Sequence, residues 1–145
     1  MMPDVTDRPS LAQLVAGAAQ VLAEAGVPSP EHDARALAAH VLGLEKLPAL
    51  SSPQIGPEVS TAFAGLVERR RQREPLQHIV GSTGFWYLTL AVEPGVFVPR
   101  PETEVVAQAA IDEADALRRV GAPPVVVDLC CGAGGIAISI ATEVA

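Results

Sequence analysis

Residues 125–141 read VVVDLCCGAGGIAISIA, and this stretch constrains the chain most. Val125, Val126 and Val127 suit a short strand buried within a parallel sheet. The residues from Gly135 onward, GIAISIATEVA, suit the start of a helix. Asp128 closes the strand, and Gly132, Gly134 and Gly135 turn the backbone into the helix. Glycine tolerates positive φ and lets a ligand approach without meeting a Cβ. N–H groups at the new helix start can meet polar ligand atoms. In open α/β sheets, ligands bind beyond the carboxyl ends of the strands, where this turn falls. Strand, turn and helix form the first half of a βαβ unit, so an α/β fold class is predicted.

The spacing D-x-C-C-G-x-G-G is not the dinucleotide pattern G-x-G-x-x-G. Counting from Gly132, the third required glycine falls at Ala137. An acidic residue ahead of the glycines fits S-adenosylmethionine better than a pyrophosphate, because the methionine ammonium group attracts a carboxylate. The same glycines would also serve a tight turn that only packs a helix on a strand.

The upstream pattern is helical. Leu11, Leu14, Val15, Ala18, Val21, Leu22 and Ala25 share one face over 10–25. Ser10 and Gln13 have capping-box spacing, and Gly26 marks the stop. A second helix starts at Ser29–Pro30, buries Ala34, Leu37, Ala38, Val41 and Leu42, and ends at Gly43. His40 falls on its apolar side, which predicts partial burial. A third helix is predicted from Pro57 to Arg73, burying Val59, Phe63, Leu66 and Val67. The period then shortens to two. Leu88, Leu90 and Val92 alternate with Thr89 and Ala91, as in a strand with one buried face. Val96, Phe97 and Val98 are expected to pair back on it after Pro94–Gly95. Helical spacing returns from Glu102 to Val120. The predicted organisation is a helical bundle over 1–73, a β-hairpin linker over 74–100, and an α/β segment over 101–145.

The composition is 49% hydrophobic and 19% charged, which suits a packed core rather than global disorder. With 3% aromatic residues, that core must rest on Leu, Val, Ile and Ala. The formal net charge of −7 argues against broad nucleic-acid binding, which needs a positive face. No apolar run approaches a membrane span, and MMPDVTDRPS carries no secretory signal pattern. The two cysteines, Cys130 and Cys131, are adjacent, too close for an unstrained disulfide. A reduced, cytoplasmic setting follows. No Cys/His spacing matches a metal site. Arg69, Arg70, Arg71 and Arg73 read as a solvated face complementing a helix C-terminus, with contact to a protein partner or RNA as the competing reading. Glu102 and Glu104 suit either first-turn charges or a place at a pocket.

Three further motifs stand in order: ARALAAHVLG at 34–43, REPLQHIVGSTGFW at 73–86 and PRPETE at 99–104. With the glycine turn at 125–135, they resemble the PrmC/HemK family of glutamine-specific protein methyltransferases, from about Leu11 to Ala145. The resemblance implies a helical domain that docks the protein substrate and a β-hairpin linker. It also implies a Rossmann-like domain that binds S-adenosylmethionine. The implied reaction methylates the glutamine side-chain amide in the Gly-Gly-Gln loop of peptide chain release factors. It implies that Asp128, Gly132 and Gly134 border the cofactor and that Phe85, Arg100 and Thr103 line the neighbouring pocket. Cys130 stands where members usually carry glycine, next to the methionine end of the cofactor.

The family's catalytic Asn-Pro-Pro-Tyr signature has no counterpart, because the 145 residues contain no asparagine. No catalytic residue is therefore assigned. The chain reads as the N-terminal portion of such an enzyme, monomeric and inactive alone, with release factors as partner and neither membrane nor nucleic acid. A non-catalytic protein-binding module and another Rossmann-like enzyme are the alternatives. One strand and one helix cannot bury both sheet faces. Residues 101–145 are thus expected to be poorly ordered alone, or held against the hairpin and helical domain.

Overall fold

The computed structural model describes residues 8–48 and 53–144 and divides the chain into two compact units, 1–80 and 81–145. The architecture is mixed: mostly helix, with one two-stranded antiparallel sheet. Among the described residues, no helix is long and apolar enough to cross a membrane.

The first unit holds α1 (Leu11–Glu24), α2 (Pro30–Val41), α3 (Pro57–Arg71) and the short α4 (Leu76–Val80). Its core gathers Leu22, Leu37, Ala34, Phe63, Val67 and Ile79, as helical periodicity predicts. The capping box at α1 forms in full. Gln13 N–H donates to Ser10 Oγ, and Ser10 N–H donates to Gln13 Oε1 at 2.9 Å. Replacing Ser10 by alanine is expected to lower stability by about 1 kcal/mol, read by urea denaturation. The segment is also pinned across the chain, since Leu11 N–H donates to Pro53 O and Ile55 N–H to Pro9 O.

Helices α1 and α2 end on Gly26 and Gly43 with paired reverse bonds to the last turn. Helix α3 ends the same way, but on an arginine. Arg73 N–H reaches Arg70 O and Glu74 N–H reaches Arg69 O, with Arg73 at φ 72°. The helix therefore stops two residues before the predicted Arg73. A side chain in this left-handed conformation costs about 1–2 kcal/mol. The Arg73 guanidinium, 2.6 Å from Gly26 O, helps hold it there.

The arginine run lies at the α3 C-terminus with Arg69, Arg71 and Arg73 open to solvent, as expected from sequence, whereas Arg70 is drawn inward. Arg69 pairs with Glu74, Arg71 with Glu68, and Arg70 with the buried Asp33 of α2. Arg71 and then Gln72 hydrogen-bond Glu68 and push its carboxyl from 4.5 down to about 2. Because the folded value lies below the unfolded one, the stabilisation is complete above pH 4.5 and lost as pH falls towards 2. Glu68→Gln should flatten that limb of the stability–pH curve and converge with the parent near pH 2 in denaturation titrations. His40, expected at the core, is exposed, because Ala38 and Ala39 fill the inner face beside it.

The second unit opens with β1 (Ser82–Phe85) and β2 (Leu88–Ala91), paired from Ser82↔Ala91 to Phe85↔Leu88. The strand at Leu88 is thus present, but its partner precedes it. Val96–Val98 forms no strand, and Phe97 is exposed. A two-residue loop, Trp86–Tyr87, closes the hairpin. Only Trp86 has positive φ, 57°, the pattern of a II′ turn that follows strand twist. The preference for glycine at such a position hides this turn from sequence. Trp86 is clamped instead, its N–H donating to Glu104 Oε1 at 2.8 Å and its indole N–H to Glu143 Oε1 at 3.1 Å.

A 3₁₀ turn at Pro101–Thr103 leads into α5 (Glu104–Arg119), and α6 (Gly135–Glu143) follows the glycine turn. Ile111 and Ala114 of α5 pack with Ile140 and Val144, and Phe85, Leu90 and Ala107 form an adjoining cluster. The predicted strand at Val125–Val127 is not formed. A parallel strand needs neighbouring backbone to complete its ladder, and none of the described segments supplies it. Val125 is left 90% exposed.

Candidate functional site at the glycine turn

The turn after Val127 builds a cleft of about 250 Å³ within the second unit. One side is the turn itself, from Asp128 through Gly132 and Ala133 to Gly135 and Ile136. The other is Phe85 of β1 with Phe97, Pro99 and Thr103. Five expected residues meet here: Asp128, Cys130, Gly132, Thr103 and Phe85. Gly134 shapes the turn as the left-handed residue before α6, at φ 77°, without lining the cleft. Arg100 is exposed and does not line it.

The local geometry explains the glycines. Gly132 has φ 56°, and a Cβ there would meet nothing closer than Phe97 O at 3.8 Å, so its conformation rather than its bulk selects glycine. Gly135 is the reverse case. A Cβ would stand 2.9 Å from Phe85 Cδ1 and 3.0 Å from Cε1. The aromatic ring lies on the first turn of α6 because nothing projects from that position.

Asp128 has a role the sequence reading missed. Its Oδ2 accepts the Ala137 N–H at 3.3 Å, the third helical position of α6. Gly134, at the N-cap, has no side chain to do this. The aspartate caps the helix from nine residues upstream, an arrangement set by the turn and absent from local capping patterns. The N–H groups of Gly135 and Ile136 face the ordinary deficit of a helix start, and both residues border the cleft. Its donors and its carboxylate thus lie together. That set suits a ligand with both an acidic and a basic group.

Cys130 occupies the left-handed region at φ 61°. Cys130→Gly should relieve about 1–2 kcal/mol of strain, partly offset by the freer unfolded chain. The expected net gain is about 0.5–1 kcal/mol, read by thermal denaturation. Glu104 and Glu102 do not line the cleft; Glu104 instead holds the Trp86 N–H beside Phe85. The contributions of Phe97, Pro99, Cys131 and Ile136 were not foreseen. Only Gly135, one glycine more than the turn conformation needs, signalled in sequence that a side chain packs there. Among the described residues no group of three or more His, Cys, Asp or Glu could hold a metal ion.

Residues 13–81 match the PrmC N-terminal domain family. The chain is 49% identical over 130 residues to a release factor glutamine methyltransferase of Streptomyces coelicolor, covering 90% of this chain and 45% of that protein. The corresponding protein of Bifidobacterium longum is 43% identical over 140 residues, covering 92% of this chain and 47% of its own length. That of Corynebacterium glutamicum is 44% identical over 133 residues, covering 90% and 45%. These matches show a PrmC N-terminal domain over residues 13–81 and a likeness to release factor glutamine methyltransferases over about 90% of the chain. The chain spans about half the length of the curated relatives it matches.

Proposed function

We propose that the glycine-turn cleft binds the methionine end of S-adenosylmethionine. On this reading, 101–145 is the beginning of a Rossmann-like methyltransferase domain. The observation that carries it is the convergence of Asp128, Cys130, Gly132, Thr103 and Phe85 on one cleft. The residues present fit part of such a donor. Asp128 offers a carboxylate for the ammonium group, and the α6 start offers N–H donors for the carboxylate. Complete ligand pockets usually measure about 300–1,000 Å³, so about 250 Å³ suits that end rather than the whole molecule. When bound, the donor supplies an electrophilic methyl group on sulfur. Phe85, Pro99 and Ile136 exclude water from the apolar side of the cleft.

The activity proposed for the whole protein is methyl transfer to the glutamine side-chain amide in the Gly-Gly-Gln loop of release factors, in the cytoplasm. Names of relatives over 90% of this chain support it. The helical unit, over which the PrmC N-terminal domain match at 13–81 extends, would dock the release factor. The 145 residues alone are expected to transfer no methyl group, because they contain no asparagine to orient the acceptor amide. Titration calorimetry with S-adenosylmethionine tests the donor reading; no heat from folded protein would refute it. Labelled methyl groups appearing on a release factor treated with this chain would refute the acceptor assignment.

A further inference from the structure

Cys130 and Cys131 are both exposed free thiols, and both border the same cleft. Their peptide bond is trans, which sets their Cα atoms about 3.8 Å apart. A disulfide normally spans about 4.4–6.8 Å between Cα atoms, so direct oxidation of the pair is strained. A bridging atom relaxes that demand. With bonds of about 2.3 Å to each sulfur, it holds the two sulfurs well beyond the about 2.05 Å of a disulfide. The neighbouring thiols are thus better disposed to share a third atom than to bond each other.

The surroundings decide what that atom is. Zinc takes three or four protein ligands, and among the described residues no group of three or more His, Cys, Asp or Glu could hold a metal ion. A monosubstituted trivalent arsenical needs two sulfurs, its own carbon being the third substituent. We infer that Cys130 and Cys131 form a dithiol capture site for monosubstituted trivalent arsenicals at the mouth of the glycine-turn cleft. In the capture step two As–S bonds form and two S–H bonds break. The two protons leave with the arsenic-bound oxygen as water, and arsenic stays trivalent. The bulky group then sits against Asp128 and Gly132, so capture closes the cleft. That last consequence rests on the donor reading above.

The test treats the chain with phenylarsine oxide and reads intact mass. The expected product carries one phenylarsenic group, has lost two hydrogens, and no longer gives thiol colour with Ellman's reagent. It survives excess glutathione and is released by dimercaptopropanol. Cys130→Gly and Cys131→Ser should each retain at least about tenfold less adduct through the glutathione wash, because a single thiol loses the second, intramolecular bond. Cys130→Gly removes a strained conformation, so misfolding does not account for its loss. Absence of the adduct from the parent chain, or an equally durable adduct on either variant, overturns the site. Calorimetry with S-adenosylmethionine, with and without the arsenical, separates the two readings. Untreated chain that takes no donor but captures arsenic sinks only the donor assignment. Loaded chain that still binds donor sinks closure of the cleft.

Discussion

Asp33→Ala is expected to lower the stability of the helical unit by about 3–5 kcal/mol, read by urea denaturation. Arg70 Nε lies 2.7 Å from Asp33 Oδ2, with side chains only 14% and 7% exposed. Arg70 also donates to Glu74 O at 2.9 Å, so one guanidinium joins α2, the end of α3 and the approach to α4. Removing the carboxylate leaves a cation whose side chain is only 14% exposed. The penalty arises from that unpaired charge rather than from the lost attraction. Two comparisons separate these effects. Arg119→Ala, which breaks an exposed pair with Asp115 on α5, should change stability by no more than about 1 kcal/mol. The double replacement Asp33→Leu with Arg70→Met removes both charges and should recover most of the loss. A deficit below about 1 kcal/mol in Asp33→Ala would show that water reaches Arg70 after all.

That pair marks where sequence reading ends. The residue types of the arginine run were visible, but their partners lie on other elements, 37 positions away for Asp33. Elements governed by neighbouring residues were legible: the Ser10–Gln13 box, the glycine stops at Gly26 and Gly43, and the alternation over Leu88–Ala91. Elements governed by distant backbone were not. Leu88–Ala91 showed its buried face without showing that its partner lay at Ser82–Phe85. Val125–Val127 has strand composition, yet a ladder requires a second backbone at about 4.8 Å. The site divided likewise. Asp128, Cys130 and Gly132 could be read from one turn, whereas Thr103 and Phe85 came only from the family resemblance. Phe97 and Pro99 join them through chain geometry that no short pattern encodes.

Phe85→Ala is expected to cost about 3–5 kcal/mol, the usual range for emptying a buried phenylalanine site. The ring is 2% exposed and packs with Leu90 and Ala107, while its edge lies over Gly135. Core and cleft therefore share one side chain. This sharing predicts a coupling that neither role gives alone. In the parent chain Gly135→Ala places a methyl 2.9 Å from the ring, a contact that real side chains essentially never make. Phe85 cannot retreat from it without disturbing Leu90 and Ala107, so overpacking of about 1–3 kcal/mol is expected. Once Phe85 is alanine, the same methyl enters vacated space and adds helix propensity at the first position of α6. The double variant should then be no less stable than Phe85→Ala. A double-mutant cycle in urea should return a coupling of about 1–3 kcal/mol. Strictly additive losses would mean that the ring does not rest on Gly135, and the wall of the cleft would have to be assigned to another side chain.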